Sequence, residues 1–484
     1  MKNNFIYKIL KKICNKDPLS IAFEIDETTI SYQKFLEDCL IFSNYIKIKN
    51  FKNIGIIGDY EYLSYVSIFG TLISGKTYIP INQNLPVQKI KKIIKIAKID
   101  LLSISKNSEK RFNTLNIKKI NLEKLYLKIT TNKKIINNSD IAYIIFTSGS
   151  TGEPKGVPIT RINLYHYINW LINNFKVKKN NKCSQFPNIG FDLSVVDIFS
   201  TICSGGTLVV PRNVFHRNFP ARFIKKKNIT HAVFVPSFIE LMNNSSQLNK
   251  INLISLKNIF FCGEPLYKNQ VEKLFKLNKN LKIINAYGPS ETTVSCTKLS
   301  LNKNNFKKYC DDTVSIGKCI DGMKIKLLNN LNFKAKTYEL LISGPQVFKG
   351  YLNNKILNKK KLIFINKKKY FKTGDLVTKI KGNIFFKKRI DNQIKIKGYR
   401  VELDEIDTMI RKFGIDETKT IYKNSELRSF VRSTKKELPL ILKFLRKNLP
   451  SYMIPISIIN LKVFPKNIND KIDFKNLFNK NVIT

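Results

Sequence analysis

With 484 residues, 43% of them hydrophobic and 33 of them Phe, the chain is too long for one ordinary core and too apolar for a disordered protein. Its 85 Lys and Arg against 35 Asp and Glu give a formal charge of +50, which raises nucleic acid or an anionic membrane as partners. The lysines run evenly through stretches such as "VQKIKKIIKIAKID" and "FINKKKYFKT" with no basic tail, so they read as solvated faces and neither partner is expected.

Eight scattered cysteines without a C-x-x-C pair argue against a zinc site or disulfide scaffold and fit a reducing cytoplasm. The opening "MKNNFIYKILKKIC" is too short in apolar residues for a signal peptide, and no run of about 18 apolar residues occurs. A cytoplasmic protein without membrane insertion is expected.

In chain order, short β-rich runs stand at 53–59 ("NIGIIGD"), 76–82 ("KTYIPIN") and 141–147 ("IAYIIFT"). Between the second and third, "PVQKIKKIIKIAKI" predicts a helix with Pro86 in its first turn and Ile90, Ile93, Ile94 and Ala97 on one face. A helix over 163–175 follows, then strands at 206–211, 231–236, 258–263 and 282–288. Strands alternating with helices predict an α/β protein with layered, largely parallel sheets flanked by helices. From about residue 316 shorter strands and turns predict a β-rich subdomain. After Arg389 a compact tail opens with "QIKIKGYR" and a helix, "VELDEIDTMIRKFG", whose early acids, late Arg411 and Lys412 and terminal Gly414 suit its dipole. Two domains are expected, a large one over 1–390 and a small, mobile α+β one over 391–484.

Directly after "IAYIIF" comes "FTSGSTGEPKG", Phe146–Gly156. Its glycines let backbone N–H groups approach an anion, and its hydroxyls and Lys155 add donors and a charge. The G-x-x-x-x-G-K-[S/T] spacing of the common nucleotide loop is absent. The carboxyl end of a strand is nonetheless where ligands bind in α/β sheets.

Seven more stretches join this loop in order: "ISYQKF" at 30–35, "FDLS" at 191–194, "NAYGPSE" at 285–291, "YFKTGDL" at 370–376, "RIDNQIKIKGYRVEL" at 389–403, "LPSYMIP" at 449–455 and "NDKID" at 469–473. On these motifs the chain resembles the adenylate-forming superfamily, in particular amino-acid adenylation domains of non-ribosomal peptide synthetases, and among them the free-standing D-alanine–carrier protein ligases. The resemblance runs from about residue 18 to 475. It implies a two-step ligase using ATP and Mg2+: a carboxylate attacks the α-phosphate to give an acyl-adenylate, and a carrier's phosphopantetheine thiol then takes the acyl group.

By the same resemblance, Thr147, Ser148, Gly149, Ser150, Thr151, Gly152 and Lys155 would bind the outgoing phosphates, and Glu291 would be the metal ligand. Tyr287 would stack on adenine, Asp375 would accept from the ribose hydroxyls, and Arg389 would donate nearby. Lys471 would be the catalytic cation bridging carboxylate and phosphate, a role that suits a step in which two anions meet. Asp391 would be the hinge and Gly398 would lie on the pantetheine path. Asp192 would pair the substrate ammonium in a pocket lined by Leu193, Val196, Val233, Phe260, Cys262, Ala286, Val294 and Ser295. Those apolar walls imply a small amino acid, D-alanine first, then glycine or a small L-amino acid. The chain ends shortly after Lys471, so a separate, acidic carrier protein is the expected partner.

The chain departs from the family pattern at Asp470 and Lys388, where glycine is usual, at Asn82, where Asp is usual, and in a short 407–449 segment. The alternatives are an acyl-CoA synthetase, which shares the loop and Lys471, and a degenerate or basic binding protein. Asp192 argues against the first, since an acid buried against a fatty chain is costly. Intact Glu291, Asp375 and Lys471 argue against the second.

Overall fold

In the computed structural model, which describes residues 4–105, 109–120, 139–149, 152–329, 336–396, 398–423 and 425–465, the Ile- and Val-rich runs become strands. They are one or two residues shorter than the sequence suggests: Asn53–Ile57, Thr77–Ile81, Thr207–Val210, His231–Phe234, Asn258–Phe261 and Lys282–Tyr287. The helix expected from 163 begins at Arg161. Its cap lies further back, where the Thr160 hydroxyl accepts from the Asn163 N–H and the Asn163 side chain accepts from the Thr160 N–H. The amphipathic helix spans Val87–Ala97 with Ile90, Ile93 and Ala97 buried and Ile94 half-buried.

The chain divides into two units. The first comprises Met1–Gln83, Ile94–Phe146 and Gly156–Ile390; the second comprises Asn84–Ile93, Thr147–Lys155 and Asp391–Thr484.

The first unit holds two large sheets and a smaller one. A nine-stranded sheet carries six neighbouring parallel strands, in the order 282–287, 258–261, 231–234, 182–184, 207–210 and 21–25, with antiparallel strands at both edges. A six-stranded sheet is built around Asn53–Ile57, which pairs in parallel with Thr77–Ile81 and Leu101–Ile104. The central strands are buried along their whole length, as parallel sheets covered on both faces require. A five-stranded antiparallel sheet from 324 to 389 is the β-rich region. Aromatic packing fills the core: Phe23 lies 4.8 Å from Phe35, and Phe69 lies 5.1 Å from Phe199, centroid to centroid. Each fully buried Phe contributes about 1.5–3 kcal/mol over its exposed state.

In the second unit the hairpin Gln393–Ile396/Tyr399–Glu402 leads into helix Leu403–Phe413. That helix starts two residues later than "VELDEID" suggests, because Val401 and Glu402 pair in the hairpin. Gly414 ends it at φ 111°, a left-handed conformation that Gly adopts without strain. A three-stranded sheet (Thr418–Lys423, Glu426–Val431, Ser457–Asn460) and helix Leu438–Asn448 complete a separate core around Ile406, Ile410, Val431, Ile441 and Leu445. No helix among the described residues is long and apolar enough to cross a membrane.

Candidate active site

Strand Lys282–Tyr287 delivers Tyr287 at its carboxyl end, and Gly288 follows directly. A Cβ at Gly288 would lie 2.5 Å from Ser295 Cα, so the chain at 295 can approach this closely only with glycine there. The Tyr287 hydroxyl donates to Asp375 Oδ2 at 2.5 Å, and Arg389 Nη1 donates to Asp375 Oδ1 at 2.5 Å. Asp375 and Arg389 are register partners on adjacent strands, and Arg389 also donates to the Thr373 carbonyl. Burial, with the Asp375 carboxylate beside it, pushes the Tyr287 phenol well above its usual range, so it stays protonated and donates. An aromatic face beside a positioned carboxylate fits a nucleoside, which offers a flat base and a vicinal diol. Each Asp375 oxygen can accept a second hydrogen bond.

Four residues on, Glu291 is fully buried. Its Oε1 accepts from the Tyr351 hydroxyl at 2.6 Å, and its backbone carbonyl accepts from the Phe348 N–H at 2.9 Å. No group of three or more His, Cys, Asp or Glu able to hold a metal occurs among the described residues. A single buried carboxylate fits a hard cation held chiefly by phosphate oxygens, as magnesium is in nucleotide sites.

The residues proposed for the amino-acid pocket are all buried. Asp192 precedes helix Ser194–Ile202 and accepts from the Ser290 hydroxyl at 2.5 Å. Val233 and Phe260 are register partners on parallel strands, and Cys262 follows the second of these with its thiol 3.8 Å from the Val294 carbonyl. Ser295 Oγ is 2.8 Å from the Tyr167 hydroxyl. Tyr167 in turn stacks on Trp170, whose ring lies edge-on to Phe260. Leu193, Val196 and Ala286 are buried in the same hydrophobic core as Phe260 and Val294. The wall is therefore close-packed, with one carboxylate set in it.

In the second unit, the Ser148 hydroxyl donates to the Arg400 carbonyl at 2.7 Å, and Lys155 Nζ lies 3.1 Å from Glu402 Oε1. Glu402 also accepts from Gln393 at 2.5 Å. The Thr147 hydroxyl is buried with no partner among the described residues, a donor suited to an anion. A Cβ on Gly149 would strike the Glu153 carbonyl, so the loop closes tightly there. Gly152 and Gly398 have φ of 77° and 81°, and Asp391 accepts from the Gln393 N–H at 3.3 Å. Ser150, Thr151, Asp470 and Lys471 lie outside the described residues.

Sequence reasoning missed Ser290, Tyr351, Tyr167 and Trp170. Tyr167 and Trp170, three apart on one helix, carried the signal of a shared face. Ser290 sits inside the 285–291 motif and Tyr351 in none, and only folding pairs them with Asp192 and Glu291.

A family model described as AMP-binding enzyme matches residues 10–352. The chain belongs to the AMP-binding enzyme family. Among its relatives is the D-alanine–D-alanyl carrier protein ligase of Listeria monocytogenes, 30% identical over 96% of both chains. The Bacillus licheniformis protein of the same name is 29% identical over 98% of both. The solved Vibrio cholerae adenylation domain AlmE, in complex with glycyl-adenosine-5'-phosphate, shares the fold at a TM-score of 0.84 with 24% identity, covering 98% of this chain and 97% of that one. The α/β architecture and the ligase assignment expected from the motifs hold for this AMP-binding enzyme.

Proposed function

We propose that this enzyme activates a small amino acid, D-alanine first, as its aminoacyl-adenylate, and transfers it to the phosphopantetheine thiol of a separate carrier protein. The observation that carries this reading is Asp192, a buried carboxylate held by Ser290 within an otherwise apolar wall. An ammonium is the group such a carboxylate recognises, and a charged or large side chain has no partner there. The relatives from Listeria monocytogenes and Bacillus licheniformis, named as ligases of D-alanine and a D-alanyl carrier protein, support the same substrate and acceptor.

In this reading the amino-acid carboxylate oxygen attacks the α-phosphorus of ATP, and the bond to pyrophosphate breaks. Tyr287 stacks on adenine while Asp375 and Arg389 hold the ribose. Thr147 to Gly152 and Lys155 bind the outgoing phosphates, and Lys471 bridges carboxylate and phosphate in the transition state. When bound at Glu291, magnesium supplies charge neutralisation on the phosphates. In the second half the thiol sulfur, on losing its proton, attacks the adenylate carbonyl and AMP leaves. The large domain over 1–390 holds the adenylate. The small domain over 391–484 turns about Asp391 to withdraw Lys471 and bring Gly398 to the pantetheine path. A cytoplasmic location suits eight free cysteines.

ATP–pyrophosphate exchange across a panel of D- and L-amino acids tests this. D-alanine should drive exchange best, glycine and small L-amino acids less, and charged or large ones hardly at all. Activity with fatty or aromatic acids and none with any amino acid would sink the reading.

A further inference from the structure

Beyond Glu291 the chain adopts a conformation it should resist. Thr293 (φ 58°, ψ 70°) and Val294 (φ 69°) are both left-handed, although both are β-branched and neither is Gly or Asn. Such a pair persists only where the surroundings over-determine it.

One side chain reaches this turn at three of its carbonyls. Gln346 is fully buried, and its Nε2 faces the carbonyls of Ser295 at 2.7 Å, Thr292 at 3.2 Å and Thr293 at 3.4 Å. Its own backbone carbonyl accepts from the Thr293 hydroxyl at 2.8 Å. Three carbonyls on one side fix which end of the amide points there, since only the NH2 can donate. The amide oxygen then faces His166 Nδ1 at 3.1 Å, so that nitrogen is the donor. Glu291, by contrast, is held by Phe348 and Tyr351, without the Gln346 side chain. Tyr287, Asp375 and Arg389 likewise hold one another.

We propose that Gln346, oriented by His166, is a positioning residue that holds the Thr292–Ser295 turn in its left-handed form and so sets the Val294–Ser295 wall of the amino-acid pocket. The inference rests on the reading of that wall as the amino-acid site. It predicts a split. Loss of the amide should loosen the wall while leaving the nucleotide cluster in place.

The test is exchange kinetics with each substrate varied in turn, on Gln346→Leu, Gln346→Glu, His166→Leu and His166→Asn. Gln346→Leu takes the donor from the buried Thr292 and Ser295 carbonyls, leaving Thr293 only its bond from the Ser295 N–H, and an ionised Glu cannot donate to them. Each should raise the amino-acid KM about tenfold or more while the ATP KM moves less than about twofold. His166→Leu should show the same split more weakly, and His166→Asn, which keeps a donor near the Nδ1 position, should recover most of that loss. An amino-acid KM within twofold of wild type in Gln346→Leu, or an ATP KM rising in parallel, overturns the proposal. If Gln346→Leu does not fold, equal amino-acid KM values for the two His166 variants overturn it. Hydrogen exchange at residues 292–296, measured in the same proteins, separates this inference from the substrate reading. Exchange there should quicken in His166→Leu relative to His166→Asn, with strand His231–Phe234 unchanged. Unchanged turn exchange defeats the positioning role whatever the enzyme activates, whereas a wild type inactive with every amino acid defeats only the substrate reading.

Discussion

Tyr287, Asp375 and Arg389 form a cluster in which each oxygen of the central carboxylate already accepts a short hydrogen bond. The amino-acid wall is built in the other way, with one carboxylate, Asp192, among side chains from several strands and helices whose contacts are mostly apolar. Deleting a member of the first cluster strands a buried polar partner, which costs about 1–3 kcal/mol or more. An apolar exchange in the second changes fit by small steps. The difference separates what must stay fixed for chemistry from what can be retuned for specificity.

The hardest test of that separation is Lys471→Ala. If it takes the proposed role, its charge matters mostly where two anions meet in the transition state, so exchange should fall by about 10²–10³-fold, the loss typical of one preorganised donor. Nucleotide binding, measured at equilibrium, should change only slightly. Exchange that survives in the variant would remove Lys471 from the chemistry.

Asp192→Ala comes next. Removing one partner of a buried charge pair costs about 2–4 kcal/mol, so the amino-acid KM should rise roughly 30- to 1,000-fold. The ATP KM should hold, because Asp192 and Ser290 take no part in the Tyr287–Asp375–Arg389 cluster. A parallel rise in both constants would mean that the two regions are one cooperative unit, and the comparison above would break.

How far the sequence reveals each region follows the same division. Tyr287, Asp375 and Arg389 are legible because charged and aromatic residues sit in short motifs at fixed spacing, and strand pairing then brings Asp375 opposite Arg389. The fold class is legible from alternating strand and helix periods, with errors of one or two residues at the ends. Those errors have local causes, as when the Thr160–Asn163 capping box moves a helix start back to Arg161. The bracing of the wall is not legible. Gln346 stands 54 positions beyond Thr292 in the chain, and no periodicity marks it. The same holds for Ser290 and Asp192, 98 apart. Long-range polar pairs leave no local pattern, so the substrate wall emerges only with the tertiary fold.

The smallest expected effect is the most specific. Cys262 is buried just beyond strand Asn258–Phe261, with its sulfur against the Val294 carbonyl, within the wall that Gln346 braces. Asp192 and Lys471 would fix two substituents of the substrate α-carbon, the ammonium and the carboxylate. A sulfur in the wall then crowds the side chain of one enantiomer and tolerates the other. One such contact is worth about 1 kcal/mol, so Cys262→Ala should lower the ratio of D- to L-alanine activation by roughly fivefold, read as kcat/KM in exchange. If Cys262 only fills space, its loss leaves a small void that both enantiomers meet equally. Both efficiencies then drop together and the ratio stays put. An unchanged ratio, or no activation of D-alanine at all, would assign stereochemical choice to other parts of the wall. A fallen ratio with an unaltered ATP KM would show that handedness is read by the apolar region alone.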